Sequence, residues 1–284
     1  VLSRFDYIRP QVLEDALAFL GENTGTKILA GGTDLMVMLR RNAEMPEHIL
    51  DIKSIPETKQ LEYKPGNGLF IGASITVNQV AESEAIQKRY AALVQGANSL
   101  ASYQLRNRAT LVGNICNASP GADLAAPLLV YEASVHIAGS RGTRQVAIDQ
   151  FFTGVKKTVL QPDEMVLGVS LPDVAPGDNS IFLKQARIKG HDLGIVGVAA
   201  RRTAANTYLV AMSAVAPTPI RLTELEEMLN SQVVTAELAV LAGEKARSLI
   251  KPISDVRSSA EYRLHISGIL VKRALMQLLV IGGK

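Results

Sequence analysis

The chain has 284 residues, 47% of them hydrophobic, enough to bury a substantial core and to fill more than one domain. Lys and Arg total 30 against 27 Asp and Glu, and aromatic residues make up only 5%, which excludes a nucleic-acid surface built on basic runs and stacking rings. The single cysteine, Cys116, excludes an intramolecular disulfide, a cysteine-built zinc site and an iron–sulfur cluster held by this chain alone.

Residues 1–10, "VLSRFDYIRP", are polar and lack the apolar stretch of a signal peptide. With no apolar run expected to reach the ~18–20 residues of a membrane span, and one cysteine suited to a reducing compartment, the expected location is the cytoplasm. "QVLEDALAFL" spaces Val12, Leu13, Ala16, Leu17 and Leu20 as a helix that Gly21 can end. "KILA" follows as a strand, then Gly31-Gly32. "TDLMVMLRR" reads as a helix with Thr33 as N-cap and with Arg40 and Arg41 at its negative end. "HILDI" closes a first lobe over residues 1–54 as a strand.

The second lobe, 55–172, starts with the strand "GLFIGASIT" entering a capped helix at "TVNQVAES", then helices at 87–100 and 123–131. "ASVHIAG" and "MVLGVSLP" are strands, the latter ended by Pro172. From Gln104 to Ala122 no regular pattern is evident, and a loop of that length in a compact domain is functional or disordered; its Val, Ile and Leu argue against disorder. "PDVAPGDNS" has the composition of a linker, with 173–180 as its span. Three strands, "SIFLKQAR", "GIVGVAA" and "TYLVAMSAVA", precede helices at 221–230, 234–249 and 258–279, which predicts an α+β domain over 181–284 with a three-stranded antiparallel sheet.

Two loops carry the chemistry. "AGGT" places unsatisfied N–H groups at a helix start, with no Cβ to block close approach, an arrangement suited to phosphate; the alternative is a tight turn. It is neither a G-x-G-x-x-G nor a P-loop. "ATLVGNICNASPGAD" supplies Thr110, Asn114, Asn117 and Ser119 as uncharged partners for a phosphate. Asp123 can accept from sugar hydroxyls or cap the following helix. Lys184 in "IFLKQAR" reads from its neighbours as a solvated strand face, and Cys116 as packing.

"ILAGGTDL", "ATLVGNICNASPGAD", "KQARIKGHDLGIVGVAA" and "SSAEYRLHISGILVKRAL" together resemble the FAD-binding medium subunit of molybdenum hydroxylases, the xanthine dehydrogenase and aerobic carbon monoxide dehydrogenase group, over essentially the whole chain. The resemblance implies a two-lobed vanillyl-alcohol-oxidase-like (PCMH-type) FAD-binding domain followed by an α+β C-terminal domain. It implies non-covalent FAD, with its pyrophosphate flanked by Ile28, Leu29, Ala30, Gly31, Gly32, Thr33, Asp34 and Leu35 on one side. Ala109, Thr110, Leu111, Val112, Gly113 and Asn114 lie on the other, with Asp123 on the flavin nucleotide.

Val166 and Lys184 would lie near the ring, where a lysine cation can stabilise the reduced flavin. Leu100 replaces an aromatic residue that stacks on the ring in xanthine dehydrogenase, Val155 replaces a tyrosine of the animal enzyme, and His191 falls in a loop that lines the flavin in relatives. Molybdopterin and [2Fe–2S] clusters would reside on a large and a small partner subunit, in a heterotrimer or a pair of heterotrimers. This chain would then contribute no catalytic residue and no metal ligand, passing electrons from the clusters to an external acceptor. A free-standing flavin oxidase of a small alcohol is the alternative on the same fold, and an assembly subunit that has lost FAD is a third. The intact glycines in both loops argue against the third. No histidine adjoins either loop for a covalent flavin bond, which counts against the oxidase.

Overall fold

The computed structural model describes residues 3–188 and 190–282, in which three larger sheets follow one another along the chain, beside a two-stranded ladder of Phe152–Gly154 and Lys157–Thr158. The first is parallel, with His48–Asp51 between Asp6–Ile8 and Lys27–Leu29. Parallel neighbours require crossover segments, and these are the helices Leu13–Glu22 and Leu35–Arg40. The second helix begins one residue later than a Thr33 cap would have it: its N-cap is Asp34, whose side chain makes no capping bond, so Thr33 is not the cap. Ala16 and Leu20 of the first helix pack into the core of the second lobe, so the two lobes share one hydrophobic interior.

The second sheet is antiparallel, ordered Leu61–Lys64, Gly68–Gly72, Glu164–Leu171, Ser134–Gly139, Gly142–Ala147. Both edge strands escape the sequence reading. Gly142–Ala147 is almost wholly exposed and polar, with no apolar alternation to mark it. In the centre, Gly168 lies so close to the neighbouring strand that a Cβ would stand 2.7 Å from the Ile71 carbonyl oxygen.

Helices cover one side. Val77–Glu82 carries the expected cap as a full capping box between Thr76 and Gln79. The single helix expected over 87–100 is two, Glu84–Arg89 and Ala91–Ser99. They break at Tyr90, a fully buried residue whose hydroxyl donates to the Pro172 carbonyl at 2.9 Å. The stretch 104–122 is not simply irregular either. It contains the end of Tyr103–Arg106 and the helix Leu111–Cys116, capped by Thr110 Oγ1, which accepts from Gly113 N at 2.9 Å.

The segment 173–180 is firmly held rather than a loose tether. Asp173 accepts from Tyr63 Oη at 2.9 Å and Gly66 N at 2.7 Å, and Asp178 forms a buried ion pair with Arg201. Beyond it lies an antiparallel sheet of Asn179–Gln185, Val196–Arg202, Tyr208–Ser213 and Ile220–Arg221. The last strand, two residues long, makes four where three were expected. Alternate residues explain why these strands read as continuously apolar. Ile181, Val198, Val210 and Met212 face the domain's own helices, while Phe182, Ala199, Leu209 and Ala211 join the core of the second lobe.

The helices behind this sheet are Thr223–Asn230, Ala236–Ser248 and Ala260–Gly282. The last contradicts the expectation of no long apolar run, since by length and composition it would suffice to cross a membrane. In the fold its Leu270, Val271, Ala274, Leu275 and Leu278 are buried in the domain core. It crosses Ala236–Ser248 with glycine facing glycine: a Cβ on Gly268 would stand 2.8 Å from the Gly243 carbonyl oxygen, and one on Gly243 would stand 2.5 Å from that of Gly268. Gly268→Leu should therefore cost about 2–3 kcal/mol by overpacking, despite leucine's better helix propensity. Urea unfolding of the variant checks this, and an unchanged or higher midpoint would show that the helices part freely.

Candidate functional site

Ile28 and Leu29 end the strand Lys27–Leu29, and the chain then turns through Ala30, Gly31 and Gly32 into the helix at Leu35. The two glycines serve different purposes. Gly32 has φ +77°, a conformation that strains any side chain. At Gly31 a Cβ would stand 2.0 Å from the Arg108 carbonyl oxygen and 2.9 Å from Ala109 Cα, so here the main chain of the first loop lies directly on that of the second. The N–H groups of Gly31, Gly32, Thr33, Asp34 and Leu35 find no acceptor among the described residues. The turn is braced from below, where Lys53 Nζ donates to the Ala30 carbonyl at 3.1 Å and pairs with buried Asp51 at 2.7 Å. Burial raises the Asp51 pKa, but bonds from Lys53 and Tyr7 outweigh it and hold the carboxyl below its usual range.

The second loop is fastened by Val77 N, which donates to the Ala109 carbonyl at 2.8 Å. Thr110 then caps a helix whose Leu111, Val112 and Ile115 are buried. The Val112 N–H has no acceptor among the described residues, the Leu111 N–H faces Ile75 across the bridge that pairs Thr76 with Thr110, and Asn114 Oδ1 is buried with no partner among the described residues. Free backbone donors, Gly31 to Leu35 on one side and Val112 on the other, therefore sit in the two loops that meet where Gly31 contacts Arg108. The strand holding Val166, Glu164–Leu171, packs behind Leu111–Cys116, and Val166 itself is core. Burial pushes the Cys116 thiol up to about 12, which keeps it protonated and inert.

Asp123 and Lys184 come together across two domains. Lys184 Nζ donates to Asp123 Oδ2 at 2.9 Å and to the Ser99 carbonyl at 3.0 Å, and the two side chains are only 8% and 9% exposed. This corrects two sequence expectations: Lys184 is not on a solvated face, and the cap before Ala125–Val130 is Leu124, without a side-chain bond from Asp123. Burial pushes the Asp123 carboxyl up to about 6, against the pull of Lys184. Leu100, buried, directly follows the carbonyl that Lys184 holds. His191 and Val155 are exposed.

Sequence reasoning missed Arg106, which binds Asn78 Oδ1 at 3.0 Å and the carbonyls of Leu100 and Ala101 at 2.9 and 3.3 Å. It thereby holds Ala101 at φ +46° beside the site. Nothing local in "QLRNRAT" marks this arginine, because its partner Asn78 lies 28 residues away. Gly194 was missed too; a Cβ there would meet Lys184 Cε at 3.5 Å and Asp123 Oδ1 at 3.6 Å.

Residues 3–174 match the family described as the FAD binding domain in molybdopterin dehydrogenase, and residues 181–278 match the CO dehydrogenase flavoprotein C-terminal domain. The chain is 32% identical over 283 residues to the xanthine dehydrogenase FAD-binding subunit of Escherichia coli O157:H7, covering 98% of this chain and 97% of that one. It is 33% identical over 277 residues to the carbon monoxide dehydrogenase medium chain of Hydrogenophaga pseudoflava, covering 96% of each. The fold matches a solved structure of carbon monoxide dehydrogenase from that organism, in a form lacking the Mo-pyranopterin moiety of the molybdenum cofactor, with a TM-score of 0.93 at 32% identity over 99% of both chains.

Because the folded protein holds the Asp123 proton more tightly than an unfolded chain with a carboxyl near 3.8 would, its contribution to stability is full below that value and is lost as the pH rises to about 6. Asp123→Asn removes this slope. The stability of the wild type minus that of the variant should fall between about pH 4 and pH 6 and then level off. Urea denaturation across that range measures the difference; a rise with pH would mean that the ionised pair with Lys184 dominates.

Proposed function

The chain belongs to the FAD-binding medium subunits of molybdenum hydroxylases, and from that premise we propose that it passes electrons from [2Fe–2S] clusters of a small partner subunit to an external acceptor. The observation that carries this reading is the row of free donors from Gly31 to Leu35, joined by the Val112 N–H of the loop that Gly31 meets at Arg108. Backbone N–H groups at two helix starts suit a pyrophosphate, binding negative charge without a competing cation. FAD bound there supplies redox chemistry that takes up electrons and gives them out.

In this reading Ile28 to Leu35 and Ala109 to Asn114 hold the pyrophosphate, the buried Asn114 Oδ1 finding its donor on the nucleotide. Asp123 accepts from a hydroxyl of the nucleotide. Leu100 and Val166 exclude water from the ring, and Lys184 keeps a cation close to it while anchored to Ser99. Residues 1–54 and 55–172 act as the two FAD-binding lobes, 173–180 as the connection, and 181–284 as the domain that closes the site. Substrate chemistry belongs to a large molybdenum-cofactor subunit, in a cytoplasmic heterotrimer or a pair of them. Relatives named for xanthine and for carbon monoxide match this chain at nearly equal identity, which supports a substrate set by the large subunit rather than by this chain.

Mild isolation of the native complex tests this. Molybdenum with about four irons per flavin is expected, the content of two [2Fe–2S] clusters, and the isolated FAD-loaded chain should oxidise no substrate of the complex. A metal-free chain that oxidises a small alcohol with oxygen would sink the reading in favour of a flavin oxidase.

Gly32→Val probes the first loop. Backbone strain of about 1–2 kcal/mol and loss of a charge-assisted bond worth about 1.5–3 kcal/mol should weaken FAD binding about a hundredfold or more. Flavin absorbance retained after dialysis measures this, and stoichiometric retention would reduce the loop to a turn.

A further inference from the structure

Arg263 stands in the first turn of the helix Ala260–Gly282 and is 3% exposed. Its guanidinium reaches three separate segments. Nη1 donates to the Ile195 carbonyl at 2.7 Å and the Ala214 carbonyl at 3.0 Å, and Nη2 donates to Asp255 Oδ1 at 2.9 Å. Both carbonyls lie on chain that abuts the Asp123–Lys184 pair.

Ile195 follows Gly194, which packs on Lys184 and Asp123, and its N–H donates to Gln185 O at 2.7 Å, next to Lys184. Ala214 donates its N–H to the Pro120 carbonyl at 2.6 Å, three residues before Asp123, and a Cβ on Gly121 would stand 3.7 Å from both Ala214 Cβ and Gly194 O. Ala214 has φ +64°, an unfavourable conformation for alanine that persists only where surrounding contacts hold it. Here the contacts are Arg263 on its carbonyl and Pro120 on its N–H. Burial pushes the Asp255 carboxyl up, but the Arg257 N–H and the Arg263 and Arg257 guanidiniums outweigh it and bring it down to about 2, so Asp255 stays ionised and anchors Arg263.

We propose that Arg263 is a positioning residue for the flavin site, clamping the Ile195 and Ala214 segments so that Asp123 is presented to FAD at one fixed place beside Lys184. This rests on the FAD reading above, and in particular on Asp123 as a nucleotide contact. A residue that only stabilises the domain would leave FAD affinity unchanged at temperatures well below unfolding. A clamp acting through Asp123 would change affinity, and only while Asp123 is present.

The test is a double-mutant cycle on the full chain, with the FAD dissociation constant measured by flavin fluorescence well below the apo melting temperature. Arg263→Lys keeps the cation but cannot span both carbonyls and Asp255, and should weaken FAD about tenfold, the loss of roughly one hydrogen bond's worth of positioning. In an Asp123→Ala background the same change should have no further effect. Should Arg263→Lys fail to fold, Asp255→Asn, at a partly exposed position, carries the same cycle with a smaller loss. Additive losses, with Asp123→Ala itself weakening FAD, would overturn the proposal and leave the FAD reading standing. No loss in Asp123→Ala alone would remove Asp123 from the FAD site and overturn both its assigned role and the clamp.

Discussion

The main chain at Gly31 rests on the main chain at Arg108, closer than any side chain allows, and the geometry of the first two lobes is built around that contact. It sets the end of a parallel strand against the cap of a short helix more than seventy residues further along the chain. It is secured by hydrogen bonds on both sides: Lys53 holds the Ala30 carbonyl, and Val77 holds that of Ala109. The apolar cluster directly beneath the first loop, Leu35, Leu39 and Ile49, is small. Ile28 and Ala30 pack against the larger core, so hydrogen bonds and apolar contacts hold this turn together. Unpaired backbone N–H groups are costly unless water or a ligand meets them, so the free donors gathered at this contact are ones that water or a ligand must satisfy.

The third domain attaches by a different balance of forces. Its sheet buries both faces, and alternate residues of each strand enter two different cores. That apolar burial supplies the driving force. The polar links across the junction include the buried ion pair of Lys184 with Asp123, Arg201 Nη1 donating to the Val130 carbonyl at 3.4 Å, and the Ser180 hydroxyl accepting from Ala92 N. The attraction within a buried pair is largely offset by the cost of taking both charges out of water. Such pairs add little net stability, but they reject other alignments, since a shifted sheet would strand a charge. Apolar surfaces can slide over one another; Lys184 can reach Asp123 and Ser99 together in only one docking.

Much of the fold was legible in the residues, and the misses share a cause. The capping box at Thr76, the strands around "FLKQA" and "LVAMS" and the helix at 236–248 all announce themselves through spacing or caps within a few residues. The break at Tyr90 does not, because its cause is a hydroxyl bonding to Pro172, 82 residues away. The segment 173–180 has a linker's composition, yet Asp173 and Asp178 tie it to both neighbours. Composition describes what a segment can do alone, and the tertiary fold supplied it with partners.

By itself the sequence determined that a glycine turn joins a strand to a helix, that a second loop rich in uncharged donors follows, and that two lobes and an α+β domain succeed one another. These are short-range facts: φ > 0 demands glycine at position 32, Thr76 precedes a helix that it can cap, and side-chain periodicity repeats every two or every three to four residues. Only the tertiary structure decided that Gly31 serves contact rather than conformation, that Asp123 and Lys184 meet across 61 residues, and that Arg263 reaches the carbonyls on either side of them. A backbone constraint is imposed by the residue that bears it, whereas a buried charge takes its partner from whichever chain the packing of the cores brings within reach.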